Sequence, residues 1–118
     1  MNEDATIHTW AAMAGDRPMP LVDRTLLRGE HAMVARLTLH EGCVVEPHAH
    51  ANEQFAVVLS GRVRFRLGAV GEERVEELVG GQVLYVPGNV RHGAEALETS
   101  ELLDVFSPVS ETTGVDGG

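Results

Sequence analysis

The chain has 118 residues, of which 43% are hydrophobic and 23% are charged, and its formal net charge is −9. This length predicts a single domain over residues 1–118 with a core of its own. The negative net charge argues against a surface that binds nucleic acid or an anionic membrane, because both need a positively charged surface. No apolar run approaches the ~20 residues of a membrane span, the N-terminus lacks a signal-peptide pattern, and the single Cys43 fits a reducing compartment. We therefore expect a cytoplasmic protein.

The first part of the chain predicts a lead-in followed by two strands. Ile7 to Trp10 is a candidate edge strand, and Pro18 and Pro20 should break any regular element after it. Leu21 to Arg28 predicts a strand. His31 to His40 alternates apolar and polar residues with the period of two that is typical of a half-buried strand.

The rest of the chain predicts further short strands, separated by turns that contain glycine. After the run that begins at Val44, they are Phe55 to Leu59, Arg62 to Leu67, Arg74 to Val79, Gln82 to Val86, Gly93 to Leu97 and Glu101 to Phe106. Many short strands at even spacing, without a convincing helix, predict an all-β fold. We expect the polar tail, residues 109–118, to be flexible.

A candidate metal site lies in the stretch after Gly42. His48 and His50 are two residues apart, so both imidazoles point the same way if this segment is extended. Gln54 is an even number of residues from both histidines. Its side chain therefore points the same way, provided the chain stays extended as far as this residue. A third imidazole, His92, follows a Pro-Gly turn far downstream. Three imidazoles and an amide oxygen are a plausible ligand set for one divalent metal ion, with Ni, Zn, Co, Mn and Fe as the candidates.

The other polar residues near these positions have simpler interpretations. Cys43 and Glu53 are an odd number of residues from His48 and His50, so their side chains should point away from the metal. His8, His31 and His40 are expected to lie at the surface. Asp104 lies between apolar residues and shares its parity with Phe106, and a buried aspartate costs several kcal/mol unless it is paired or protonated. The pattern alone leaves open whether Asp104 is buried or exposed.

Two stretches resemble the paired motifs of the cupins. Residues 42–61 follow the pattern G-x5-H-x-H-x3-Q-x6-G, with glutamine where most cupins have glutamate. Residues 81–92 follow the pattern G-x5-P-x-N-x2-H, with asparagine where glycine is usual. The resemblance implies a double-stranded β-helix, or jelly-roll barrel, with its core at about residues 31–108 and a metal ion inside its mouth.

Within the cupins, the segments HAHANEQ, VPGNVRHGAEALE and LDVFSP resemble the KdgF family, which opens the ring of unsaturated uronates in pectin and alginate breakdown. This resemblance implies that the metal ligands are His48, His50, Gln54 and His92. It also implies that Asp104 and Phe106 are active-site residues, and that the product is a linear 4-deoxy-5-keto-uronate. The family usually has an arginine two residues after its Ser-Pro, where this chain has Ser110. Another arginine substitutes for it, the substrate differs, or the activity is lost.

Two other functions remain open. The first is a small cupin dioxygenase in which iron(II) and oxygen cleave a diketone-like chelate. Gln54 argues against it, because iron(II) oxygenases more often use a carboxylate or three histidines with open positions. The second is a metal-dependent small-molecule binding module without turnover. In each case we expect a small-molecule ligand, by resemblance an anionic sugar acid. We also expect a homodimer, because many short strands leave sheet edges to cover.

Overall fold

The computed structural model describes residues 4–109 and shows ten strands and one short 3-10 helix, Trp10–Ala12. The strands are β1 (Asp16–Met19), β2 (Val22–Arg28), β3 (Met33–Leu39), β4 (Val44–His48), β5 (Glu53–Ser60), β6 (Arg62–Leu67), β7 (Arg74–Val79), β8 (Val83–Val86), β9 (His92–Ala96) and β10 (Ser100–Ser107). No helix among these residues is long and apolar enough to cross a membrane.

The strands form two antiparallel sheets. The larger sheet has the order β1-β2-β3-β10-β5-β8, and the smaller sheet has the order β4-β9-β6-β7. Several neighbouring strands are far apart in sequence, such as β10 beside β3 and β5 and β9 beside β4, which is the crossed connectivity of a jelly roll. The expected all-β jelly-roll fold is confirmed.

The N-terminal prediction is wrong. Ile7 is 97% exposed, and the segment that follows it turns into the 3-10 helix instead of a strand. The edge strand is β1, which contains Pro18. An edge position tolerates proline, because only one side of the strand has to donate hydrogen bonds. In addition, the register is irregular between the pairs that Asp16 and Met19 make with β2.

Inward-facing side chains of the two sheets form one core. On β3 every second residue is buried, from Met33 to Leu39, as the alternation predicts. Val58 of β5 and Val63 of β6 have no exposed surface, and they pack in the same cluster. Cys43 is buried among these residues, and burial raises the pKa of its thiol. This cysteine is therefore a core residue.

One end of the larger sheet forms the rim of the barrel. Pairing across five strands aligns a single row of residues there, which we call the mouth row: Arg28, Met33, Phe106, Gln54 and Val86. Directly opposed residues on neighbouring strands point to the same face of a sheet. Apart from Arg28, the members are buried, so this face is the inside of the barrel.

Gly61 is the tightest glycine of the first cupin-like motif. Its φ is +93°, and a Cβ built on it would lie 2.7 Å from the Cα of Ser100. The Ser100 hydroxyl accepts a hydrogen bond of 3.0 Å from the backbone N–H of Arg62, which holds the two segments together. Glycine is therefore required for two reasons, a left-handed backbone and the close approach of β10.

We expect Gly61→Ala to destabilise the fold more than Gly71→Ala. Gly71 also has a positive φ, of +84°, but a Cβ added to it would meet no atom within 4 Å. Both variants should lose about 1–2 kcal/mol from the left-handed backbone, and Gly61→Ala should lose roughly 1–3 kcal/mol more from overpacking. Urea unfolding of the two variants and the wild type measures the difference. Equal losses would mean that Ser100 moves aside freely.

Candidate metal centre

Three histidines converge at the mouth of the barrel. Two of them lie on strands of the smaller sheet, and the third lies in the loop that follows one of these strands. His48 ends β4 and pairs in register with His92, which begins β9, while His50 lies in the loop after β4. The ring centroids are 4.5 Å apart for His48 and His92, 4.9 Å for His50 and His92, and 5.6 Å for His48 and His50. One nitrogen of each ring lies within 4.8 Å of the other two, so the group can hold a metal ion.

Backbone carbonyl groups fix the orientation of all three rings. Each Nδ1 lies within hydrogen-bond distance of a carbonyl oxygen two residues away in the sequence. The acceptors for His48, His50 and His92 are Glu46 (2.9 Å), Asn52 (3.0 Å) and Val90 (2.8 Å). A carbonyl oxygen only accepts, so each Nδ1 carries the proton and each Nε2 carries a lone pair. This is the tautomer that metal-binding histidines need, with the second nitrogen held by the protein.

Two of the three Nε2 nitrogens of this group are buried without partners. The Nε2 atoms of His48 and His92 make no hydrogen bond to any residue of the described chain. Burial is the main cause that lowers the pKa of His92 to about 4; the hydrogen bond to the Val90 carbonyl opposes this shift, and the nearby His48 and His50 add to it. His92 therefore stays neutral at neutral pH, which is the form that binds a metal.

Gln54 reaches the same point from the opposite sheet. It lies on β5, is 5% exposed, and places its Oε1 3.2 Å from Nε2 of His50. Its side chain also makes a hydrogen bond with Asp104 that lowers the pKa of that carboxyl, so the amide nitrogen faces Asp104. Oε1 of Gln54 and Nε2 of His50 are then two acceptors that face each other, and they repel unless a cation or proton lies between them.

The route of the chain to Gln54 differs from the extended path that the parity argument assumed. β4 ends at His48, the chain passes through a loop that contains His50, and it enters the larger sheet at Glu53. Gln54 therefore converges on the histidines from across the barrel rather than along one strand. Glu53 points outward, as expected, and accepts a hydrogen bond of 3.2 Å from the Tyr85 hydroxyl.

Asp104 lies in the interior, one row below the mouth row. It pairs with Ala35 and Ala56 on the flanking strands and is 5% exposed. Its Oδ1 has no hydrogen-bond partner among residues 4–109. Burial raises the pKa of Asp104 to about 7, and the hydrogen bond from Gln54 opposes this shift. A carboxyl group in this environment can take up or release a proton near neutral pH.

Phe106 and a small cavity complete the surroundings. The Phe106 ring is 1% exposed, and its centroid lies 5.7 Å from that of His50. Below the histidines is a cavity of ≈ 40 Å³, bordered by Asp104 and by apolar side chains such as Leu37 and Phe65. This volume has room for water but not for a sugar. A larger ligand must therefore approach from the mouth side, where His48 and His50 are half-buried.

The remaining histidines lie away from this site, as expected. His40 Nε2 is 2.7 Å from the carboxylate of Asp23, His31 is 3.7 Å from Glu30, and His8 is 2.9 Å from Thr6. The three carbonyl acceptors were missed by sequence reasoning, because backbone groups carry no residue-type signal. Ser110 lies outside the described residues.

Comparison with solved structures shows that the fold of most of the chain matches that of known cupins. KdgF from Halomonas sp. is 26% identical, with a TM-score of 0.81 over 92% of this chain and 97% of that one. An RmlC-like cupin from Shewanella frigidimarina is 22% identical, with a TM-score of 0.82 over 94% of this chain and 97% of that one. Oxalate decarboxylase from Bacillus subtilis, a protein with Mn(II) centres, is 19% identical and has a TM-score of 0.79. The match covers 92% of this chain but 32% of the decarboxylase.

Sequence comparison gives the family directly. No curated protein matches the chain. The family profile described as "Cupin domain" matches residues 35–106, which is more than half of the chain and includes both motifs. Together with the jelly-roll topology and the three converging imidazoles, this match shows that the chain belongs to the cupin family.

Proposed function

We propose that this cupin is a metal-dependent enzyme that opens the ring of 4,5-unsaturated uronate monomers to give linear 4-deoxy-5-keto-uronates. The observation that carries the proposal is the position of Asp104, a buried carboxyl with a pKa of about 7 that is hydrogen-bonded to Gln54 beside the histidine group. The likeness to KdgF, at 26% identity over nearly the full length of both chains, supports the same choice.

The metal ligands in this proposal are His48, His50, Gln54 and His92. The free Nε2 atoms and the facing Oε1 of Gln54 fit one divalent ion, because a cation would satisfy all of these acceptors at once. Three imidazoles and an amide add no negative charge to the centre. An ion with this ligand set would supply Lewis-acid stabilisation to the carboxylate and neighbouring oxygen of an anionic sugar.

Asp104 would carry the proton of the reaction. Ring opening moves a proton from the C1 hydroxyl to C4 as the bond between C1 and the ring oxygen breaks, leaving an aldehyde at C1 and a ketone at C5. No oxidant or reductant is consumed. A carboxyl with a pKa near 7 can accept and return this proton at neutral pH. Phe106 would form the apolar wall beside His50 and exclude water from the reacting carbon atoms.

We expect the wild-type protein to bind one divalent ion and His48→Ala/His92→Ala to bind none. The double substitution removes two of the three imidazole ligands. The matched control is His31→Ala/His40→Ala, which removes two surface imidazoles and should leave one ion bound. Elemental analysis after dialysis measures the stoichiometry, and circular dichroism checks folding. One ion per chain in folded His48→Ala/His92→Ala would contradict the proposed site.

We expect Asp104→Asn to lower turnover of unsaturated uronates by roughly 10²–10⁴, the usual contribution of a positioned acid or base. Asparagine keeps the shape and a hydrogen-bonding group but cannot cycle a proton, so metal content should not change. The loss of ultraviolet absorbance from the conjugated double bond follows the reaction. Asp23→Asn, at an exposed carboxylate on the outer sheet face, is the control and should retain full activity.

Three outcomes would redirect this proposal. Equal rates for the wild type and Asp104→Asn would make Asp104 structural. Oxygen consumption during turnover, measured with an oxygen electrode, would favour the dioxygenase, because ring opening needs no oxygen. A wild type that binds uronates but consumes none would be a binding module.

A homodimer is the assembly that we propose. Four large apolar side chains are exposed together on the outer face of β5 and β8: Phe55 (40%), Leu59 (44%), Val83 (55%) and Tyr85 (48%). They lie side by side, since Phe55 pairs with Tyr85 and their ring centroids are 5.0 Å apart. A patch of this kind is typical of a protein interface.

We expect light scattering at micromolar concentration to give a dimer for the wild type and a monomer for Leu59→Asp/Val83→Asp, because two buried carboxylates would oppose association. Val75→Asp introduces a charge at an apolar side chain that is 49% exposed on the other sheet, and it should leave the dimer intact. A monomeric wild type would refute the proposal.

A further inference from the structure

Arg28 occupies an unusual place at the end of the mouth row. It pairs with Met33, which pairs with Phe106, which in turn pairs with Gln54. Residues opposed in this way project to the same face, and the other three are buried inside the barrel. The Cβ of Arg28 therefore projects toward the interior face at the rim, while its side chain is exposed.

The guanidinium of Arg28 has no counter-charge in the described part of the chain. Seven of the nine arginines lie within 4.0 Å of a carboxylate oxygen: Arg17, Arg24, Arg36, Arg62, Arg64, Arg74 and Arg91. Among residues 4–109, Arg28 and Arg66 have no such partner. Arg66 projects outward from the smaller sheet, between Val75 and Gly93, so that Arg28 is the unpaired arginine at the end of the mouth row.

A chain with a net charge of −9 repels an anionic ligand unless positive groups lie at its site. Arginine presents a planar fork that matches a carboxylate with two parallel hydrogen bonds. The backbones of Arg28 and Phe106 are two strand spacings apart, about 10 Å. An extended arginine side chain and part of a monosaccharide acid together span such a gap.

We propose that Arg28 binds the carboxylate of the ligand at the rim and so selects acidic sugars over neutral ones. The inference rests on the proposed function for the identity of the ligand, and it assigns to Arg28 a specificity-determining role within the same site. The carboxylate then meets two positive groups, the ion held by the histidines and the guanidinium on the other side of Phe106.

Arg28 lines a cleft on the outer side of the larger sheet, and this location provides a discriminating control. The cleft has a volume of ≈ 410 Å³, lies beside the turn between β2 and β3, and is lined by Arg28 together with Thr6 and His8. If the Arg28 guanidinium bound the ligand in this outer cleft instead, His8 would contact the same ligand. His8→Ala therefore separates the two locations.

The test is calorimetric titration of the nickel-loaded full-length protein with galacturonate, a saturated acid that cannot react, and with neutral galactose. Arg28→Ala should weaken galacturonate binding about 10- to 100-fold, the loss expected for a charge-assisted pair, and should leave galactose binding unchanged. Arg28→Lys should retain part of the affinity. The matched control Arg66→Ala, which removes the other unpaired arginine, should stay within about twofold of the wild type.

Kinetics with the unsaturated uronate provide the second measurement. Arg28→Ala should raise KM far more than it lowers kcat, because the pair contributes to ground-state binding as well as to the transition state. Thermal unfolding checks that each variant is folded.

The outcomes separate this inference from the proposed function. If Arg28→Ala and Arg66→Ala bind galacturonate alike while the wild type opens unsaturated uronates, the role of Arg28 is wrong and the proposed function stands. If Arg28→Ala loses galacturonate affinity but the wild type opens no uronate, the reaction is wrong and the acid site stands. A loss in His8→Ala equal to that in Arg28→Ala, or a wild type that binds no galacturonate, overturns the inference.

Discussion

The site depends on three hydrogen bonds that the backbone accepts. Each imidazole donates its Nδ1–H to a carbonyl oxygen two residues away, and this leaves three Nε2 lone pairs aimed at one point. An imidazole that is free to rotate or to change tautomer would weaken such a group, because its lone pair would be correctly placed for only part of the time. The local conformation of each segment therefore determines the chemistry, and the sheets bring the segments together. Burial adds to this effect by keeping His92 neutral.

β10 carries two of the residues of the proposed site, Asp104 and Phe106. It is one of the two central strands of the larger sheet, with β3 on one side and β5 on the other. Its inward residue Phe106 therefore lies between Gln54 and Met33, and Asp104 lies between Ala56 and Ala35. A central strand with two hydrogen-bonded neighbours is held more rigidly than an edge strand. The carboxyl that we assign to proton transfer thus has a fixed position relative to the histidine group.

The sequence carries some of these features and not others. Alternation correctly predicted β3 and β6, because each has one buried and one more exposed face. It also predicted the bounds of β7, although Leu78 is the one buried residue of that strand. The spacing of His48 and His50 predicted that their side chains point the same way, and the resemblance to the cupin motifs implied that His92 joins them. The alternation of side chains could not predict that the chain leaves β4 and enters the other sheet before Gln54. A two-residue period does not show where an extended segment ends. Nor could composition predict that β1 accepts Pro18, because that depends on having no partner on one side.

The small cavity beneath the histidines also governs how a ligand moves. Because it has a volume of ≈ 40 Å³ and an apolar lining, the interior below the cluster is closed to sugars. Ligand and product must use the same opening, one after the other. A polysaccharide cannot thread through such a site. Under the proposed function, a site with one opening would accept single sugar units that other enzymes have released from a polymer.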